Sequence, residues 1–233
     1  MRYVDKSNRS KEFDAFVAEI SKKAHVWKDL KSTRNKAKIK GGDVQLALFQ
    51  YLWQQQKGLC IYCQQQIAEK IATYKTVEEI IAHIEHICPQ SVCTDKIFDQ
   101  SNLVVSCEGF NLTELTPLQA RRNFCGHRKA NEYDISNFLN PTQIKNVESY
   151  FSYSALGKIE ADFAKNEVEQ EQANYMISIL GLDNTTLETM RQNQYRVWTT
   201  YLNTFGEDWV KENLEPDFLE LPAFYSMLKT KFL

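Results

Sequence analysis

His83-Ile84-Glu85-His86-Ile87-Cys88-Pro89-Gln90-Ser91 (HIEHICPQS) decides how the chain is read. It holds two of the four histidines, with a glutamate between them and a cysteine and a proline close behind. In the longer run TVEEIIAHIEHICP (76–89), Ile80, Ala82 and Ile84 fall on one side of an extended chain and His83 and Glu85 on the other, the period of a strand with one buried face. Pro89 has no N–H to give to a ladder, so the strand is expected to end before it. A strand that presents His and Glu on its free face is either ordinary structure or the edge of a metal site, and its surroundings must decide.

Downstream, the loop SVCTDKIFDQS (91–101) leads to a second apolar run, NLVVSC (102–107), and then to FCGHRK (124–129), where His127-Arg128-Lys129 opens a helix-compatible segment. Upstream, Cys60-Ile61-Tyr62-Cys63 follows a helix-stop glycine, Gly58. A redox Cys-x-x-Cys needs a strand before it and a helix beginning at it, whereas here a helix ends just before, which favours zinc. Tetrahedral closure needs two more ligands. Joining 60/63 to Cys107 and Cys125 ties the start of the region to its end, as a core-poor module requires. The other options are a 60/63/88/93 set or no metal, and Cys88 and Cys93 read otherwise as small hydrophobes in the loop.

The flanks are helical. Phe13, Phe16, Val17, Ile20, Ala24 and Trp27 recur at helical spacing over 11–30, and LKSTRNKAKIKGG (30–42) is a basic loop with Lys36 and Lys38 as phosphate contacts or as solvated linker charge. A second helix runs from the Asp43 cap towards Lys57-Gly58, with Leu46, Phe49, Leu52 and Trp53 as its buried stripe. After about residue 140 the character changes. From Asn146 on there is no cysteine or histidine. ESYFSYSALGKI reads as a short extended piece and the rest as amphipathic helices, with a boundary at Gly181 and Asp183. The organisation is thus an N-terminal helical segment with the basic loop (1–57), a core (58–140) and a C-terminal helical region (141–233). Its aromatics, among them Trp198, Tyr201 and Trp209, form a partner interface or that region's own core.

Composition sets limits on function. The 233 residues are 43% hydrophobic and 25% charged, with a net charge of −2. A core is expected, and any nucleic-acid surface must come from local clustering. The N-terminal stretch lacks an apolar signal region and no run reaches membrane-span length, so a cytoplasmic, reducing setting is expected, with cysteines serving as metal ligands or free thiols. His25 has no partner in sequence and reads as structural.

Glu85-His86, then Asn102-Leu103 before an apolar strand, then Cys-x-His-x-Lys at 125–129 resemble, in order and residue type, the HNH nuclease family. The resemblance implies an α+β, mostly α chain with a ββα-metal (HNH) nuclease core, a structural zinc on Cys60, Cys63, Cys107 and Cys125, and a catalytic Mg²⁺ or Mn²⁺. By position, Glu85 and His127 look like ligands of that divalent ion, His86 like the general base, and Asn102 like the residue that orients it. Imidazole ligation tilts the choice to Mn²⁺ or Ni²⁺ in vitro, while abundance favours Mg²⁺ in the cell. His83 reads as packing or support. Arg121, Arg122, Arg128 and Lys129 flank the site as phosphate contacts or as surface helix charge. One departure is that EGFNLTELTPLQARRNF (108–124) separates Cys107 from Cys125, where the family commonly spaces a Cys-x-x-Cys.

Over its whole length the chain is similar to the PtuB-type HNH proteins, through the MRYVDKS start, the EHICPQS wording and SILGLDNTTLETMR (178–191). That resemblance implies an effector of Septu and retron-associated anti-phage defence, working in a complex with PtuA, an ABC-like ATPase, and in retron systems with a reverse transcriptase and its msDNA. The substrate would be DNA, as in most relatives, or tRNA. The competing reading is a non-catalytic zinc-stabilised scaffold that binds nucleic acid or a protein partner.

Overall fold

The computed structural model describes residues 1–20, 27, 41–67, 82–109, 123–214 and 220–233. The basic loop with Lys36 and Lys38, His25, Ile80, Arg121 and Arg122 lie outside the described residues. Helices α1 (Lys11–Ile20) and α2 (Gly41–Gln55) precede a two-stranded antiparallel sheet, β1 (Ala82–His86) and β2 (Leu103–Cys107), and the short helix α3 (Cys125–Lys129). A second antiparallel pair follows, β3 (Phe151–Tyr153) and β4 (Ile159–Ala161), and then helices α4 (Glu167–Leu180), α5 (Thr185–Phe205), α6 (Glu207–Leu214) and α7 (Tyr225–Phe232). The class is α+β, about half helical, with small antiparallel sheets. Among the described residues no helix is long and apolar enough to cross a membrane.

The alternation in HIEHICP is realised in β1. Ala82, Ile84 and His86 are buried while His83 and Glu85 are only partly covered. β2 is buried along its whole length because α2 packs on it. Of the expected α2 stripe, Phe49, Leu52 and Trp53 are buried, joined by Val44 and Leu48, whereas Leu46 stays partly exposed. Gln56, 1% exposed, fastens helix to sheet. Its amide nitrogen donates to Val105 O and Leu59 O, both at 2.8 Å, while its oxygen accepts from Val105 N at 2.6 Å. A buried amide whose groups are all partnered costs no desolvation penalty and fixes the register.

The C-terminal helices build their own core, which is continuous with the rest. Asn166 and Glu169 form a reciprocal capping box at the start of α4, and Gly181, in the left-handed region, ends it. Asn184 caps α5. Arg191 is 1% exposed and donates to Gly157 O at 3.1 Å and Leu182 O at 2.8 Å, so its charge holds the β3–β4 turn against the α4–α5 junction. Trp198, Tyr201, Phe205 and Trp209 form one aromatic cluster. The chain segments interlock: Val4 N donates to Pro141 O, Leu221 N to Lys57 O and Phe224 N to Gln64 O. Buried Ser226 exchanges bonds with the Gln64 side chain.

Candidate functional site

Four cysteines converge between α2, β2 and α3. Cys60, Cys63, Cys107 and Cys125 are all buried, with Sγ atoms within 4.8 Å of one another. Cys60–Cys125 and Cys63–Cys107 are each 3.7 Å apart. Thiolates at about 2.3 Å from a tetrahedral zinc lie about 3.8 Å apart, so the four sulfurs fit that ion. The backbone N–H of Cys107 points at Cys60 Sγ and that of Gln65 at Cys63 Sγ, both at 3.4 Å, the outer hydrogen bonds a thiolate cluster needs. Burial alone would raise the Cys60 thiol, but hydrogen bonds from Cys107, Cys125 and Cys63 bring it well below its ordinary value. The cluster can hold a structural zinc ion.

Local backbone geometry makes this convergence possible. Lys57, Gly58 and Gln64 take positive φ, folding residues 60–63 into a turn in which Gln64 N bonds Cys60 O and Cys60 N bonds Gln65 O. Ile61 N donates to Val105 O, which docks the turn on β2. The long separation between Cys107 and Cys125 is closed at its neck by Asn123 N to Gly109 O at 3.0 Å. Gly109 has φ +72° and a Cβ there would stand 2.3 Å from Phe124 O, so only glycine permits that closure.

Cys88 and Cys93 are not ligands, free thiols or simple packing residues. They form a disulfide, which corrects the expectation of reduced cysteines throughout and removes the 60/63/88/93 alternative. The cause is local: Val92 N and Cys93 N both donate to Pro89 O, a tight turn that brings the two Cα atoms to 5.9 Å.

Beside the cysteine cluster, a cleft of about 480 Å³ is lined by His83, Glu85, His86, Gln90, Gly126 and His127 among others. The ββα order of elements brings these together. His83 and Glu85 project from the partly covered face of β1, and His127 comes from α3. Gly126 lets α3 approach, since a Cβ there would lie 2.8 Å from Glu85 Oε2 and 3.0 Å from His83 Nε2.

His86 is 6% exposed. Its Nε2 lies 2.9 Å from Ile97 O, and a carbonyl only accepts, so the proton sits on Nε2 and Nδ1 keeps its lone pair. Nδ1 faces the Gln90 amide nitrogen at a long 3.4 Å. Trp27 meets the ring edge-on, with centroids 4.8 Å apart. Burial is the main influence on its pKa and lowers it, outweighing the opposing Ile97 carbonyl and Glu85 charge. The imidazole is therefore neutral at neutral pH, the state a base requires.

Asn102 makes no hydrogen bond to the His86 ring. Its Oδ1 accepts from Cys88 N at 2.8 Å, and its Nδ2 donates to Cys88 O at 3.0 Å and Lys96 O at 3.3 Å. It pins both ends of the 88–96 loop, and so it sets the Ile97 carbonyl that holds His86. The orientation expected of Asn102 is thus available only through the loop.

Glu85 is more enclosed than the sequence suggests, with 12% of its side chain exposed. Oε1 is 3.0 Å from Lys129 Nζ and 3.4 Å from the Tyr62 hydroxyl, and Oε2 is 3.5 Å from His83 Nε2. Burial would raise its pKa, but His83 and Lys129 hold it below the usual carboxylate value. Lys129, expected among the phosphate contacts, must be corrected. Its side chain is 1% exposed, and its ammonium neutralises Glu85 and donates to His86 O at 3.3 Å. Arg128 is exposed, with Nε on Ser178 O at 3.1 Å.

Glu108 was not singled out from sequence. Its carboxylate bridges two imidazoles, with Oε1 at 3.1 Å from His83 Nδ1 and Oε2 at 2.7 Å from His127 Nε2. The available signal was register. Ser106 pairs with His83, and the residue two further on emerges on the same face as its diagonal neighbour. Burial would lower the His83 pKa, but Glu108 and Glu85 outweigh it and raise it to about 9. Glu108 in turn is held well below the carboxylate range by the two histidines, despite burial. His83, Glu108 and His127 each offer one ligand atom within 4.8 Å of the others.

The site thus combines a neutral imidazole whose Nδ1 meets only the Gln90 amide at 3.4 Å, a second group of metal-ligating side chains and an adjacent cysteine cluster that fits zinc. Comparison with protein-family models finds no match to the chain, and comparison with curated proteins finds none either.

Proposed function

We propose that the protein is a metal-dependent HNH endonuclease of the PtuB kind, hydrolysing phosphodiester bonds of nucleic acid as the toxic effector of an anti-phage complex. In this reading β1, β2 and α3 are the ββα-metal unit, and the Cys60/Cys63/Cys107/Cys125 cluster is its structural zinc site. The observation that carries the proposal is His86. It is buried at the end of β1, neutral, with Nε2 engaged by Ile97 O and Nδ1 facing Gln90, and both residues line a cleft that also holds His83, Glu85 and His127.

The chemistry follows from those groups. Nδ1 takes the proton of an attacking water, and the imidazolium that forms is supported by the Ile97 carbonyl and the nearby Glu85 charge. Trp27 and the loop pinned by Asn102 hold the ring in one orientation, which removes the entropy cost of finding it. Gln90, 3.4 Å from Nδ1, stands where it can position that water. A divalent ion bound in the cleft would stabilise charge on the phosphate oxygens and leaving oxygen. DNA is the favoured substrate and tRNA the second choice. A PtuA-type ABC-like ATPase is the proposed controlling partner, with a retron reverse transcriptase and its msDNA in the retron-linked setting.

The test is cleavage of plasmid and of total tRNA by the complex with the ATPase, for wild type and His86→Ala. Loss of one general base is worth roughly 10²–10⁴ in rate. Unchanged cleavage by His86→Ala removes the base assignment. Absence of cleavage with every divalent ion favours the zinc-stabilised scaffold.

A further inference from the structure

The donors in the cleft do not sort as the resemblance implies. We propose that its divalent ion is bound by His83, Glu108 and His127, with Glu85 acting behind His83 rather than on the ion. This rests on the metal-dependent reading above and changes which residues serve it.

Geometry favours Glu108. Two donors held by one ion at about 2.1 Å lie about 3.0–3.4 Å apart. His83 Nδ1 is 3.1 Å from Glu108 Oε1, and His127 Nε2 is 2.7 Å from Glu108 Oε2. The His83 and His127 rings lie side by side with centroids 4.3 Å apart. The carboxylate therefore already bridges two nitrogens drawn from different elements, β1 and α3, and an ion entering the cluster needs only small shifts.

Glu85 is committed elsewhere. One oxygen serves Lys129 and Tyr62, the other faces His83 Nε2. Turning it to an ion would strand the ammonium of Lys129, whose side chain is 1% exposed, and leaving a buried charge unpaired is strongly unfavourable. As it stands, the Glu85 carboxylate faces the far nitrogen of His83 at 3.5 Å, a placement that favours a proton on Nε2 and leaves Nδ1 to an ion. This is the carboxylate–histidine–metal arrangement found around bound metals. Two imidazoles and one carboxylate suit Mn²⁺, Zn²⁺ or Ni²⁺ better than Mg²⁺, and His83 and His127 both line the cleft where phosphate oxygens and water would complete the coordination.

The experiment is Mn²⁺ binding to the full-length protein with its cysteine cluster zinc-loaded, followed by calorimetry and by pulsed EPR, which counts imidazole nitrogens on the ion. The result expected is two imidazoles, falling to one in His83→Ala. Glu108→Gln weakens Mn²⁺ more than about tenfold. Glu85→Gln, whose amide oxygen can still face His83 Nε2, weakens it by less than Glu108→Gln does, about tenfold, the low end of outer-partner losses. Circular dichroism and zinc content identify variants that are folded. A single imidazole in wild type overturns the assignment, as does loss of Mn²⁺ in Glu85→Gln with binding kept in Glu108→Gln, or no Mn²⁺ uptake at all. The nuclease reading fails separately: a two-imidazole site in a complex that cuts no nucleic acid sinks that reading and leaves this one standing.

Discussion

Lys129→Met isolates the most consequential buried interaction of the site. The ammonium lies 3.0 Å from Glu85 Oε1, with 1% and 12% of the two side chains exposed. Methionine keeps an unbranched stem one atom shorter and removes the charge, so packing is largely preserved. Glu85 is then a buried carboxylate without its cation. Breaking one half of a buried pair costs about 3–5 kcal/mol. The low end applies, because His83 Nε2 at 3.5 Å and the Tyr62 hydroxyl at 3.4 Å remain. At about 2–4 °C per kcal/mol for a chain of this size, the midpoint of thermal unfolding should fall by roughly 6–12 °C. The double variant Lys129→Met/Glu85→Gln removes the stranded charge and should recover at least half of the loss. Urea and thermal unfolding of the zinc-loaded proteins at neutral pH measure both. A single-variant loss under about 1 kcal/mol, or a double variant no more stable than the single one, would refute the view that Lys129 exists to neutralise Glu85.

Replacing Cys60 or Cys107 by serine should release the zinc ion, read by metal analysis, and destabilise the protein severely, since metal binding supplies folding free energy; Cys93→Ser should leave the zinc content unchanged. Gly109→Ala should open the neck that brings Cys125 to Cys107, because its Cβ would meet Phe124 O at 2.3 Å with φ at +72°, and hydrogen exchange at Asn123 N should rise in that variant. The pH dependence is set by His83. Its folded pKa of about 9 exceeds the unfolded value of about 6.5. Its ion-pair contribution is therefore complete below about 6.5 and is lost as the pH climbs through about 9. Urea unfolding without added divalent ion should show stability falling over that window in wild type but not in His83→Gln, and parallel curves would contradict the assignment.

Legibility in the sequence followed the range of the interactions. The strand at HIEHICP, the helix-stop at Gly58, the boundary at Gly181 and the joining of Cys60 and Cys63 to Cys107 and Cys125 are set by alternation, caps and ligand chemistry. These are local rules or short lists of strong donors, and a single sequence carries them. The Cys88–Cys93 disulfide was less legible, because two cysteines five apart are bridged only if the turn between them closes, and Pro89 O provides that closure here.

Chemical roles among equally polar side chains were the least legible. From sequence alone, Lys129 is a phosphate contact or a surface charge, Glu85 a metal ligand, His83 a supporting residue and Glu108 unremarked. Each is decided by what comes from elsewhere in the chain. Lys129 is buried as α3 folds against β2 and α4, Glu85 is claimed by that lysine and by Tyr62 of the cysteine turn, and His83 meets Glu108 across the strand pair and His127 across the helix. The sequence by itself determined which residues are capable of metal and proton chemistry, and in which order they occur. Only the tertiary structure decided which of them have lone pairs left for it, because a donor or acceptor is spent on whichever partner burial brings within about 3 Å, and that partner is not a neighbour in the chain.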